Sequence, residues 1–157
     1  MKTSPGALLL RWWFRLAPLP LGKRLFSRLI GIFVPYSATI GARVLDFREG
    51  YIRLLLPDRR RVRNHLNSIH AIALVNFGEM CSGLALMSGM PSHVRGIVTH
   101  ISIDYLKKAR GDLQAQCDAS FPQVSADMEH IVLVDIVDGV GEVVARVAVT
   151  WRLGLIA

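Results

Sequence analysis

Cysteine is scarce in this chain: Cys81 and Cys117 are the two thiols among 157 residues. Cys81 lies in an apolar stretch and Cys117 in a strand-like run, with no zinc-type spacing around either. A disulfide scaffold and a cysteine-bound metal are therefore set aside. The expected setting is a reducing compartment, the cytoplasm, with two inert thiols. Acid is missing from the first 45 positions, which carry Lys2, Arg11, Arg15, Lys23, Arg24, Arg28 and Arg43. The rest of the chain holds twelve basic and twelve acidic residues, so the whole net charge of +7 belongs to the N-terminal segment. The neutral body has no basic stripe interleaved with stacking aromatics, and no nucleic-acid partner is expected.

The N-terminal segment also lacks an uninterrupted apolar run. Leu8, Leu9, Leu10, Trp12, Trp13, Phe14 and Leu16 are broken by Arg11 and Arg15. Leu25, Phe26, Leu29, Ile30 and Phe33 follow a Pro18 to Pro20 break, with Lys23, Arg24 and Arg28 among them. A transmembrane helix needs about 20 predominantly apolar residues, and a signal peptide needs an apolar core of at least about 7 before a small-residue cleavage site. Neither is expected here; two short amphipathic helices are. Their apolar face either packs on the domain or a partner subunit, or dips into an anionic membrane over residues 8–33 with the arginines at the headgroups. Both readings stay open on the sequence alone.

Charge is scarcest between Ser68 and Met90, where Glu79 is the one formally charged residue. Apolar positions cover every face of this stretch, which predicts a helix from about His70 to Met87, wrapped by protein and stopped by Gly89, Met90 and Pro91. A carboxylate in such surroundings needs a partner, hydrogen bonds or a raised pKa, and raised values are typical of catalytic acids and bases. Glu79 is the leading candidate for chemistry. Its alternative reading is a buried structural acid paired across a dimer.

Strand patterns flank the helix. Thr39 to Asp46 and Tyr51 to Leu56 come first, joined through Phe47-Arg48-Glu49-Gly50, and Gly96 to Lys107, Asp112 to Phe121, Glu129 to Asp138 and Glu142 to Leu153 follow. Leu113, Ala115, Cys117, Ala119 and Phe121 alternate with Gln114, Gln116, Asp118 and Ser120, the pattern of a sheet with one wet face. The connections 108–111 and 138–141 are short enough to predict antiparallel neighbours. Two strands, one apolar helix and a four-strand meander make an α+β chain whose curled antiparallel sheet buries a single long helix. This is the hotdog architecture. It is expected over residues 37–157, with residues 1–36 as a basic helical extension.

Within this order, His70-Ala71 stands six residues after Asn64 and nine before Glu79, and so resembles the motif of hotdog-fold acyl-CoA thioesterases of the phenylacetyl-CoA thioesterase type. Residues 103–113 are similar to that family's third-to-fourth strand connection. The resemblance covers about residues 39–153, and the basic preface with Val34-Pro35-Tyr36 resembles a poorly characterised branch of the superfamily. It implies hydrolysis of an acyl-CoA or related acyl thioester, with the coenzyme A thioester as substrate and no cofactor. The Ala71 amide would polarise the carbonyl, Asn64 would help to hold the thioester, and Glu79 would be general base or nucleophile. His70 either caps the helix or acts as a base; Asn64 and Asn67 have a second reading as Asx-turn residues. Substrate contacts are expected from Ile72, Ser82 and Gly83. Arg61 and Arg63, with Lys107, Lys108 and Arg110, are either solvated or placed to meet the phosphates of coenzyme A. His65 and His70 are poorly spaced for a metal, and none is expected.

Nine residues of helix put His70 and Glu79 roughly 13 Å apart along the axis, too far for one helix to supply both groups to one carbonyl. A homodimer sharing its sites follows, as the resemblance also implies, with pairing of dimers left open. Two departures from the family pattern stand out. Ala71-Ile72 replaces a pair of glycines, and Gly83 replaces a residue that often carries a hydroxyl. They keep a second reading open, a non-catalytic acyl-thioester or lipid-binding protein at the membrane surface.

Overall fold

The computed structural model describes residues 4–156, so Lys2 lies outside the described residues. The chain opens with α1 (Pro5–Leu16), α2 (Gly22–Phe33) and the single turn α3 (Pro35–Ala38). The Ala7 N–H donates to the Ser4 hydroxyl at 3.2 Å, and Pro5 occupies the first helical position, where its missing N–H costs nothing. The hairpin β1 (Arg43–Arg48) and β2 (Tyr51–Leu56) turns at Gly50, whose φ of 72° favours glycine. Then come α4 (Ala71–Ser88), β3 (Val94–Tyr105), β4 (Leu113–Asp118), β5 (Met128–Val137) and β6 (Val143–Leu155). All six strands form one antiparallel sheet in the order β1-β2-β4-β5-β6-β3, curled around α4.

The expected meander is corrected here. β3 pairs with β6 along its whole length and forms an edge of the sheet, while β4 inserts between β2 and β5. Residues 108–111 are therefore part of a crossover rather than a hairpin turn. Backbone hydrogen bonds pin this crossover against the start of α4. The Leu106 and Lys107 N–H groups donate to Val144 O at 2.9 and 3.2 Å, and the Ile69 N–H donates to Ala109 O at 2.8 Å. The expected hairpin at 138–141 does join β5 to β6. β1 starts at Arg43 instead of Thr39, because Pro35–Ala38 closes a helical turn and Gly41 follows with φ 65°.

α4 is long and apolar enough to cross a membrane by length and composition, yet the sheet wraps it. Phe77, Cys81, Ala85 and Leu86 have no exposure, and they meet Leu113, Ile136, Val147 and Leu153 in the core. The N-terminal helices join that same core. Trp13 lies edge-on to Phe26 and Phe47 at centroid distances of 5.2 and 6.4 Å, with Ile30 buried beside them. One face of the basic segment thus packs on the domain. It also covers the β1 edge: Lys23 Nζ donates to Leu45 O at 2.7 Å, and the Val44 N–H donates to Ser27 Oγ at 2.9 Å. Both cysteines are buried and free, and burial pushes the Cys117 thiol up to about 12.

Candidate active site

The loop between β2 and α4 is built to present a helix N-terminus. Asp58 accepts two hydrogen bonds from Arg63, at 2.6 and 3.0 Å, and one from the Gly111 N–H at 3.1 Å, tying this loop to the crossover. The Arg63 hydrogen bond holds the Asp58 carboxyl below its usual range. Asn64 Oδ1 accepts from the Leu66 and Ser68 N–H groups at 2.9 and 3.2 Å, an Asx-type turn, and Asn67 follows with φ 54°. The chain thereby delivers His70, whose Nδ1 accepts the Ile72 N–H at 3.1 Å and caps α4. Asn64 and His70 both have structural employment at these atoms.

The Ala71 N–H has no hydrogen-bond partner among the described residues. It stands at the positive end of an 18-residue helix, where unpaired amides and the helix dipole favour negative charge. A cavity of about 270 Å3 opens there, lined by Asn64, Ala71, Tyr105, Lys107 and Lys108 together with Leu74. Tyr105 was not expected in the site. Its hydroxyl donates to Ala71 O at 3.2 Å and closes the wall on the β3 side.

Glu79 lies two turns further along α4, half-buried, in a larger cavity of about 570 Å3. The N-terminal segment walls this cavity with Phe33, Val34, Pro35 and Tyr36; α4 adds Ile72, Val75 and Asn76, and β3 adds Ile101. The carboxylate has no ion-pair partner among the described residues, and burial raises its pKa. Asn76, one turn before it, is a further residue that sequence reasoning passed over. Its Nδ2 donates to Tyr36 O at 3.4 Å, while its buried Oδ1 has no partner among the described residues. An amide three positions before the only charge in an apolar helix was the available signal. Arg61, Arg63, His70, Ile72 and Asn76 share a third recess of about 220 Å3 that borders the Glu79 cavity through Ile72 and Asn76.

Several residues expected to contact substrate have partners within the fold. Ser82 is wholly buried: its hydroxyl donates to Glu79 O at 2.9 Å and accepts from Trp151 Nε1 at 3.3 Å. Gly83 lies under the same indole, and a Cβ there would press on the ring at 3.3 Å. Trp151 packs against both residues, and neither lines the cavities described above. Three of the five cations are engaged within the fold. Arg61 bonds Thr39 O, Arg63 bonds Asp58, and Lys107 Nζ bonds Glu142 and, at 2.8 Å, Asp138. Lys108 and Arg110 are exposed and form no ion pair among the described residues.

A sheet curled around one buried helix, with an open amide at the helix start and a lone half-buried carboxylate further along it, makes this a protein of the hotdog fold. The chain belongs to the family described as a domain of unknown function (DUF4442), which it matches over residues 22–153. The crystal structure of the structural-genomics target APC5556 superposes with a TM-score of 0.81 at 29% identity, covering 96% of this chain and all of that one (100%). A Pseudomonas aeruginosa protein of unknown function, described as a "probable thioesterase", has a TM-score of 0.77 at 24% identity, covering 88% of this chain and 97% of that one. A Halobacterium salinarum relative named "putative esterase" is 33% identical over 92 residues, which is 55% of this chain and 60% of that protein. The match thus spans less than two thirds of the length of that relative.

Proposed function

We propose that this protein hydrolyses acyl-CoA or a related acyl thioester, with each active site shared by two copies of the chain. The observation that carries the reading is a separation. The unpaired Ala71 amide and the unpaired Glu79 carboxylate open into different cavities of one protomer. Eight residues of helix put them about 12 Å apart along the axis. Each is half of a site. A twofold partner that lays its α4 alongside would bring its own carboxylate to the amide, and β3, a 12-residue edge strand, offers a backbone edge for such pairing.

In the proposed reaction, the thioester carbonyl oxygen takes the Ala71 N–H, and Asn64 Nδ2, not used by its turn, adds a second donor. Glu79 from the other copy accepts a proton from water as the oxygen attacks the carbonyl carbon. Negative charge gathers on the carbonyl oxygen, where the helix start stabilises it. The C–S bond then breaks, and the thiolate leaves and takes up a proton, giving a free thiol and a carboxylic acid. A carboxylate whose pKa is raised by burial is a stronger base than an exposed one. Lys108 and Arg110 are the cations left to meet the phosphates of coenzyme A, and the apolar cavity behind Glu79 suits an acyl chain.

One observation favours the non-catalytic reading: Ile72, half-exposed at the helix start, stands where it would narrow the approach of a thioester. The deciding experiment is release of free thiol from short, medium, long and aromatic acyl-CoAs by the wild type beside Glu79→Gln. Activity on any member that collapses in the variant supports the hydrolase and its base together. Silence of both proteins, folded and dimeric, would favour binding over turnover or point to a carrier other than coenzyme A.

A further inference from the structure

We propose that the tip of the α1–α2 hairpin is a docking surface for an anionic lipid bilayer. Scattered exposed apolar residues are ordinary on soluble proteins, but a contiguous patch marks a contact site. Phe14, Leu19, Leu21 and Leu25 are 64%, 55%, 70% and 48% exposed, and all four surround the turn between the two helices. The turn is rigidly built. The Leu19 N–H donates to Leu16 O and the Gly22 N–H to Leu19 O, both at 2.9 Å, while the Leu25 N–H donates to Leu21 O at 3.0 Å. Gly22 lets the helices close on each other, since a Cβ there would collide with the Leu16 carbonyl. Leu21 itself is held at φ 60°, a conformation that bulky residues rarely adopt, and its side chain points into solvent.

Charge selects the occupant. Arg11, Arg15, Arg24 and Arg28 are exposed beside these leucines, and none forms an ion pair among the described residues. No acidic residue precedes Asp46. Apolar side chains at a tip, ringed by arginines on a segment that carries no acid of its own, match a lipid surface with negative headgroups, which takes leucine between its chains and arginine at its phosphates. Pairing through β3 would not cover this patch. Phe33, at the far end of α2, walls the Glu79 cavity beside Ile101 of β3, and twelve residues of helix place Leu21 about 18 Å from it along the axis. The same helix thus holds the cavity within its own length of the lipid.

The test uses the full chain in flotation with phosphatidylcholine vesicles, with and without phosphatidylglycerol, at low and high salt. Wild type is expected to float with the anionic vesicles and to be released by salt. Leu19→Ser with Leu25→Ser should weaken that binding about tenfold per leucine, and Arg15→Gln with Arg24→Gln about fivefold per arginine. All four positions are exposed, so melting temperature, oligomeric state and thiol release from soluble acyl-CoA should be unchanged. This readout needs no turnover and stands apart from the reaction proposed above. Equal binding to neutral vesicles, no binding to either, or no loss in the leucine variant would overturn the proposal. A drop in oligomeric state of the leucine variant would also overturn it, by assigning the tip to contact between copies.

Discussion

The two halves of α4 are alike in composition and opposite in circumstance. From Met80 to Ser88 the sheet closes over nearly every side chain, and the polar atoms there are spoken for. Ser82 answers Trp151 and the helix backbone, while the Ser88 hydroxyl donates to Ala85 O at 2.7 Å and accepts the Gly50 N–H at 2.8 Å. From Ala71 to Glu79 one face stays open along Ile72, Val75 and Glu79, and the polar atoms that face outward or into its cavities are left over: the Ala71 N–H, Asn76 Oδ1 and the Glu79 carboxylate. Buried polar groups are ordinarily satisfied, so the unmet hydrogen-bonding capacity on the first half of α4 sets it apart from the sealed second half.

Substitutions in each half should therefore separate activity from stability. Glu79→Gln should cut thiol release by about a hundredfold to ten-thousandfold while the protein still folds, the range expected for a lost general base. A denaturation curve and a single-turnover assay on the same preparation check both halves of that statement. Leu86→Ala in the sealed half should do the reverse, losing about 2–5 kcal/mol of stability to a core cavity with little change in rate per folded molecule. Comparable rate losses in both variants would erase the distinction. Gly78→Ala sits at the boundary, where a Cβ would press into the Val147 side chain at 2.5 Å. Overpacking of this kind costs about 1–3 kcal/mol, read as a lower midpoint in urea.

The smallest expected effect is on pH dependence. Burial raises the Glu79 pKa above its unfolded value, so the folded protein keeps this proton longer than the unfolded chain does. Stability from this group is complete below the ordinary carboxylate range and falls as pH rises towards the raised value. Glu79→Gln should remove that decline, so its melting temperature should gain on wild type as pH climbs through the window. A constant difference between the two at every pH would show that the carboxyl titrates normally.

Much of the architecture is legible in the amino-acid order. Local pattern suffices for β2, whose bounds match, and for α4, where the scarcity of charge between Ser68 and Met90 exposes both the core helix and Glu79. The alternation at 113–118 marks the wet face of β4. Strand neighbours are not legible, because the short spacing of 108–111 suggests a hairpin while the hydrogen bonds that make it a crossover come from Val144 and Ile69, remote in sequence. The same distance hides Tyr105 and the Phe33–Tyr36 wall. It also hides the partners of Lys107, since Asp138 and Glu142 reach it only across the folded sheet. Ser82 is misplaced by pattern alone because a hydroxyl beside an acid gives no hint that Trp151, 69 residues away, will take it.

The two margins of the sheet bear on how many copies can join. β1 gives backbone bonds to Lys23 and Ser27 of α2, so that margin is occupied by the chain itself. β3 presents twelve residues with no such cover among the described residues. Growth of a sheet from molecule to molecule needs two adhesive margins on each, and the described residues leave one open. Strand addition through β3, if the sites are shared as proposed, would therefore use itself up after a single event: it would yield a closed pair and leave no end from which a fibre could extend.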